Sequence, residues 1–429
     1  MLNIFNFIRP DFGFSIIWII CLCCASIFSF RAIEPLNFYS PIWIYSIYII
    51  FQYSFIYYLL KYFFNLSKLP KNIKINIKQK SLNFKVLKIA NYNFLIWFGI
   101  FIFTFLIRGN IPLFSRLFGD SQINYTNFYL PTIAGFASII RIFGSCLYLI
   151  YIINNFKDYK NKEFITVFMK FIFIFLSPLI LEVSRGNQIF LTIIVFITCC
   201  SFLDNQISRK NFYKFIIFIF SSFFFLILIY SLMGIFRYQN YGDFQDMLSE
   251  TYLRSRVFSS KFSYLDFLTK GKIGLITYQI TLYLSGGVIN INSQMQNYSD
   301  LNLNFNIFAG IFPTLIRNLF FNSNSYGDLI MGEYFNVSTF LQPIFQSFGL
   351  IGALPVIFML QFITIYSYFK SYEGSLFYRF YYPILFTSNF LAFFSNYFFT
   401  LIVILYPLLI AYFLQFINKS FYISNSNKL

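Results

Sequence analysis

Histidine is absent from all 429 residues of this chain. With it go imidazole acid–base catalysis, a Ser-His-Asp triad and histidine metal ligation. Charge is scarce as well: Asp, Glu, Lys and Arg make up 11% of the sequence, against about 25% in an average soluble domain. The six cysteines, Cys21, Cys23, Cys24, Cys146, Cys199 and Cys200, all fall in apolar stretches. That placement argues for packing and against a disulfide framework in an exported loop. There is no Walker loop, no dinucleotide glycine pattern, no Cys/His metal cluster and no Asp-x-Asp sugar-nucleotide motif. These absences argue against an energy-coupled pump and against a nucleotide-sugar transferase. Neither a metal nor an organic cofactor is expected. Internal repeats with periods of about 20–50 residues and Pro-rich linkers are missing too.

What remains is strongly apolar. Hydrophobic residues make up 58% of the chain and aromatics 24%, and runs of about 18 or more such residues read as transmembrane helices. We place spans at 14–30, 41–60, 91–107, 131–153, 164–181, 189–203, 215–235, 339–366, 380–396 and 398–416. Two further apolar stretches, 273–291 and 304–322, form either a membrane pair or interfacial helices. The first run follows Arg9 and lacks a small-residue cleavage site, so it reads as a membrane helix rather than a removed signal peptide. The expected fold is all-α: a polytopic integral membrane bundle of about 10–12 transmembrane helices with one large external loop. It divides into N-terminal membrane helices (1–235), the loop with its possible membrane-associated helices (236–338), and C-terminal membrane helices with a cytoplasmic tail (339–429).

The net charge of +17 invites a nucleic-acid reading, but its distribution decides against one. Residues 61–88 carry eight lysines and no acid, which marks a cytoplasmic segment. Counting outward from there, the cytoplasmic side holds nineteen basic residues against five acidic ones. The large loop is balanced, with seven of each. Both termini are then cytoplasmic, and the basic turns face lipid head groups rather than nucleic acid.

Candidate chemistry gathers at a few charges. The turn from Glu182 to Gln188 joins two spans at the outer face and contains Arg185. Arginine so close to hydrocarbon is costly unless paired or functional, and its planar fork suits phosphate oxygens. The plain alternative is that Arg185 snorkels and pairs with Glu182. Arg141 lies in mid-span, either as a functional group or in a structural pair; Lys170 is near enough to the inner end of its span to snorkel. The loop adds Arg237, Arg254, Arg256 and Arg317, suited to holding a pyrophosphate. It also carries acids, among them Asp328 and Glu333, that serve as bases in a chain without histidine. Loop tyrosines such as Tyr238, Tyr241, Tyr283 and Tyr334 suit sugar faces, though interfacial anchoring explains most of them.

Three patches together resemble the O-antigen polymerase (Wzy) family of bacterial repeat-unit polymerases. They are Arg108-Gly-Asn-Ile-Pro-Leu-Phe114 after an early span, Ser184-Arg-Gly186 at a hairpin tip, and Gly332-Glu-Tyr-Phe-Asn-Val-Ser-Thr-Phe340 followed by Phe348-Gly-Leu-Ile-Gly352. Ser347 stands where many relatives carry an acid, and the missing histidine separates the chain from the similar O-antigen ligases. The resemblance implies a GT-C-like glycosyltransferase of the bacterial cytoplasmic (inner) membrane. It would join undecaprenyl-diphosphate-linked oligosaccharide repeat units into O-antigen, capsule or exopolysaccharide on the outer face. Implied partners are that lipid-linked substrate, membrane lipids, and a chain-length regulator and flippase of the same pathway. In this reading Arg185 acts on the departing diphosphate, Glu333 or Asp328 is the base, and Arg237, Arg254, Arg256, Arg317, Arg141 and Asn336 bind substrate or diphosphate. The alternatives are a lipid-linked oligosaccharide flippase or other export transporter, and a noncatalytic assembly partner.

Overall fold

The computed structural model of the chain describes residues 8–27, 36–64, 80–109, 111, 130–155, 161–180, 185–202, 271–295, 305–312, 317 and 339–426. Among these residues there are ten α-helices and no strand. The helices are α1 (Pro10–Ile27), α2 (Pro41–Phe63), α3 (Lys80–Arg108), α4 (Pro131–Asn154), α5 (Lys162–Ile180), α6 (Arg185–Phe202), α7 (Gly271–Gln294), α8 (Leu341–Tyr372), α9 (Leu376–Phe390) and α10 (Leu401–Ser426). Two 3-10 turns cover Phe305–Ile311 and Leu391–Phe393. Helices α1, α2, α3, α4 and α8 are long and apolar enough to cross a bilayer, and α6 and α10 carry shorter apolar stretches. The chain is therefore a helical membrane protein.

Local chemistry sets several of the ends. Proline occupies the first position of α1, α2 and α4, where its missing N–H costs nothing and its fixed φ fits the helix. Helix α3 begins at Lys80, before the expected span, and its stretch long and apolar enough to cross runs from Asn83 to Arg108. Of the stretch 304–322 the structure describes a 3-10 turn at Phe305–Ile311 and helical backbone at Arg317. The stretch 380–396 is not one span. With 15 residues α9 reaches only about 22 Å, short of a hydrocarbon core about 30 Å thick. The expected span 215–235 lies outside the described residues.

Side-chain contacts fix the relative levels of the helices. We call the level of Ile27 and Pro41 the upper end, and that of Pro10 and Phe63 the lower. Helices α1 and α2 run antiparallel: Trp43 donates to Ser26 Oγ at 3.0 Å, Phe14 meets Tyr53 edge-on at 5.5 Å, and Arg9 lies 3.9 Å over the Tyr57 ring. The chain before α8 enters at the middle of this pair, with Phe340 against Phe14 and Trp18 at 6.2 and 5.8 Å. It then climbs to Tyr45, which touches Phe345 and donates to Leu350 O at 3.1 Å. From there it descends until Tyr368 reaches Tyr57. The reversal sits at Gly349, whose φ of 68° and ψ of 178° belong to a region that only glycine occupies without strain. Helix α8 is thus a short rising arm joined to a long falling one.

The other half of the bundle centres on α4, the most enclosed of the five long helices. Its lower half holds a polar ladder to α3 and α5. Asn91 Oδ1 accepts from Tyr148 Oη and from Lys170 Nζ, both at 2.9 Å, and Asn154 Nδ2 donates to Asn83 Oδ1 at 3.2 Å. Lys170 therefore turns inward to an amide instead of snorkelling to the interface. At the lower end of α1, Arg9 pairs with Asp11 at 2.7 Å. Burial works against the Arg9 cation, but the Asp11 hydrogen bond and charge outweigh it and hold the guanidinium more firmly protonated. Tyr382 donates to Ile8 O and Asn389 to Pro10 O, which ties this corner to α9.

Candidate functional site

Between α9 and α10 the backbone leaves the helix, and residues 394–400 follow the 3-10 turn as an irregular segment. Its level is set by Phe340 N–H, which donates to Ala392 O at 2.8 Å beside Phe14 and Trp18. That is inside the span of α1, not at its tip. Non-helical backbone at such depth is tolerated only where protein encloses it or a polar space adjoins it. The segment meets part of its own need: Asn396 Oδ1 accepts from Phe398 N at 3.2 Å, and Thr400 Oγ1 donates to Tyr397 O at 2.7 Å.

Four parts of the chain close on this segment, and a fifth meets the residue that follows it. Tyr397 stacks on Phe190 of α6 at 4.8 Å. Phe394 packs against Tyr283 of α7 at 5.3 Å. Phe398 lies 6.4 Å from Phe340 at the start of α8. Phe399 meets Phe308 of the 3-10 turn at 5.4 Å, and Gly310 approaches so closely that a Cβ there would overlap Phe399 O. At Gly135 of α4 an added Cβ would stand 2.8 Å from the Leu401 side chain.

Polar but neutral side chains are buried in the two neighbouring helices. Gln279, Thr281, Ser285, Asn290 and Gln294 of α7 are buried, as are Thr339 and Gln342 at the foot of α8. Gln342 Nε2 donates to Gln294 Oε1 at 3.1 Å, and Asn292 Oδ1 accepts from Ile42 N at 3.4 Å. The Thr281 and Ser285 hydroxyls donate to carbonyls of their own helix, so the amides carry most of the hydrogen-bonding capacity that remains. The first N–H groups of the α8 short arm are already used: Thr339 Oγ1 takes Leu341 N at 3.2 Å and Thr339 O takes Gln342 N. That arm therefore offers no anion cradle. The positive end of the α6 dipole lies at the upper side, where Arg185 opens the helix.

The positions of the sequence-derived candidates differ. Arg185 is the first residue of α6, five before Phe190, and only its backbone is described. Arg141 is 2% exposed, with Nη2 donating to Ser138 Oγ at 3.5 Å. It stands between the Gly135–Leu401 and Phe143–Tyr406 contacts, just below the irregular segment. Arg317 is exposed. Glu333, Asp328, Arg237, Arg254, Arg256 and Asn336 lie outside the described residues. Asn396, Tyr397 and Thr400 were missed by sequence reasoning. Their only signal was a polar interruption between two apolar runs, which reads equally well as an ordinary turn.

Comparison with protein-family models, with curated proteins and with solved structures finds no match to this chain.

Proposed function

We propose that the chain is a glycosyltransferase of the cytoplasmic membrane that joins lipid-diphosphate-linked oligosaccharide units on the outer face, the upper end of the bundle. One observation carries this reading. The described flanks of the Arg185 turn, of the large loop and of the 332–340 patch meet at one irregular segment at membrane depth. A reaction between two lipid-anchored sugars needs such a place, because the diphosphate stays at the level of its membrane while the glycan is held by hydroxyl-binding groups. The lipid diphosphate leaves with the bonding electron pair as the acceptor hydroxyl attacks the anomeric carbon. Arg185 at the α6 N-terminus stabilises the departing charge, with Arg141 below it. Electrostatic stabilisation of this kind is usually the largest catalytic contribution. Glu333 is the first choice for the base that takes the hydroxyl proton, and Asp328 the second. The glycosyl–phosphate bond that breaks supplies the driving energy, so no nucleotide takes part.

Purified protein in liposomes with lipid-linked repeat units tests the reading. Wild-type protein should lengthen the glycan, and Arg185→Ala should slow elongation at least about a hundredfold, the scale for losing one charge-stabilising donor, while inserting normally. Elongation unchanged by Arg185→Ala removes that residue from the site. A second reading follows from the bent α8 and the break after α9, since discontinuous helices meeting at depth also build transport sites. Movement of the lipid-linked unit between leaflets without lengthening selects that reading instead.

A further inference from the structure

Far from the irregular segment, at the lower end, α9 carries an arginine with no counter-charge among the described residues. Arg379 is 3% exposed. Its Nε donates to Ser371 O at 3.3 Å, a carbonyl that also accepts Gly374 N at 3.1 Å. Its Nη2 is fully buried and makes no hydrogen bond, and the same holds for Ser371 Oγ. The two orphaned groups belong to residues already joined by a bond. Ser371 lies three residues beyond Tyr368, which packs on Tyr57 near the Arg9 corner, so the pair sits at the lower ends of α8 and α9. The nearest acid in sequence, Glu373, is held by Lys370 at 2.8 Å at the surface, and Asp11 is held by Arg9. No ion pair to Arg379 occurs among the described residues.

A guanidinium enclosed in this way is unfavourable unless something anionic completes it. The groups left over define what fits. Nη2 offers donors in the planar fork that matches oxyanions, and Ser371 Oγ adds one more donor on the residue whose carbonyl Nε already holds. We infer that Arg379 and Ser371 form an oxyanion subsite of the phosphate class at the lower end of the bundle, separate from the proposed catalytic segment. The shared chemistry is a phosphoryl group, from a phospholipid head group of that leaflet or from free phosphate.

Thermal unfolding of the full chain in detergent, with native mass spectrometry, tests this using two probes: inorganic phosphate and phosphatidylglycerol. In wild-type protein the effective probe should raise Tm in a saturable manner. Response to phosphate alone identifies a free anion, and response to phosphatidylglycerol alone identifies a head group. Arg379→Gln should abolish the response. Without probe its Tm should equal or exceed that of wild type, because a lone buried charge has been removed. Ser371→Ala should fold normally and weaken the response about tenfold, the effect of losing one hydrogen bond to a charged ligand. Identical curves for wild type and Ser371→Ala with both probes would overturn the inference, even if Arg379→Gln failed to fold.

Discussion

At the scale of single residues, the charges inside this bundle divide by what they touch. Lys170 and Tyr148 share one acceptor, Asn91 Oδ1. Asn91→Leu leaves an ammonium and a hydroxyl unsatisfied and should cost about 2 kcal/mol, read as a lower midpoint in denaturant unfolding in micelles. Lys170→Met in that background should recover more than half of the loss, because the costlier orphan is gone. Sequence reading identified Arg141 as a charge inside a span, and it is buried. Arg379 counted only as one more basic residue of the inner side, yet it is buried too. Charge patterning tells on which side of a bilayer a residue lies. It carries no information on whether the side chain points to water or into the bundle.

At the scale of elements, hydropathy located α2, α4 and α5 to within a few residues, because each is one predominantly apolar run. It could not foresee the fold of α8, where the apolar pattern continues across the reversal at Gly349. Gly349→Ala forces a side chain into a backbone region that costs about 1–3 kcal/mol. The same micelle unfolding should show that loss. Phe345 and Tyr45 should separate as well, and with them the level at which Phe340 enters. A midpoint equal to wild type would mean that the bend tolerates a Cβ. The irregular segment 394–400 was illegible for a related reason. Phe, Tyr, Ser and Asn are common throughout the chain, and what distinguishes this segment is the depth at which four other parts reach it.

For the whole molecule, the orientation assigned to the upper and lower ends is the premise of the proposed chemistry. It rests on the eight lysines of 61–88 and is checked without any substrate. In a background with all six cysteines replaced, Asn187→Cys, exposed in the first turn of α6, should react with a membrane-impermeant maleimide added to intact cells. Lys74→Cys should react only after the cells are opened. The reverse pattern would put the Arg185 turn in the cytosol and remove the proposed outer-face reaction.

The hydrogen bond from Phe340 N–H to Ala392 O also orders how the protein can be made. Its donor leaves the ribosome before α9 has been synthesised, so the foot of the short arm has no acceptor while the arm itself is being inserted. Helices α1 and α2, already in place, offer it only an aromatic shelf of Phe14 and Trp18. This latch on the centre of the bundle is therefore supplied by a hairpin translated after the arm it holds, and a nascent chain halted before that hairpin lacks the acceptor.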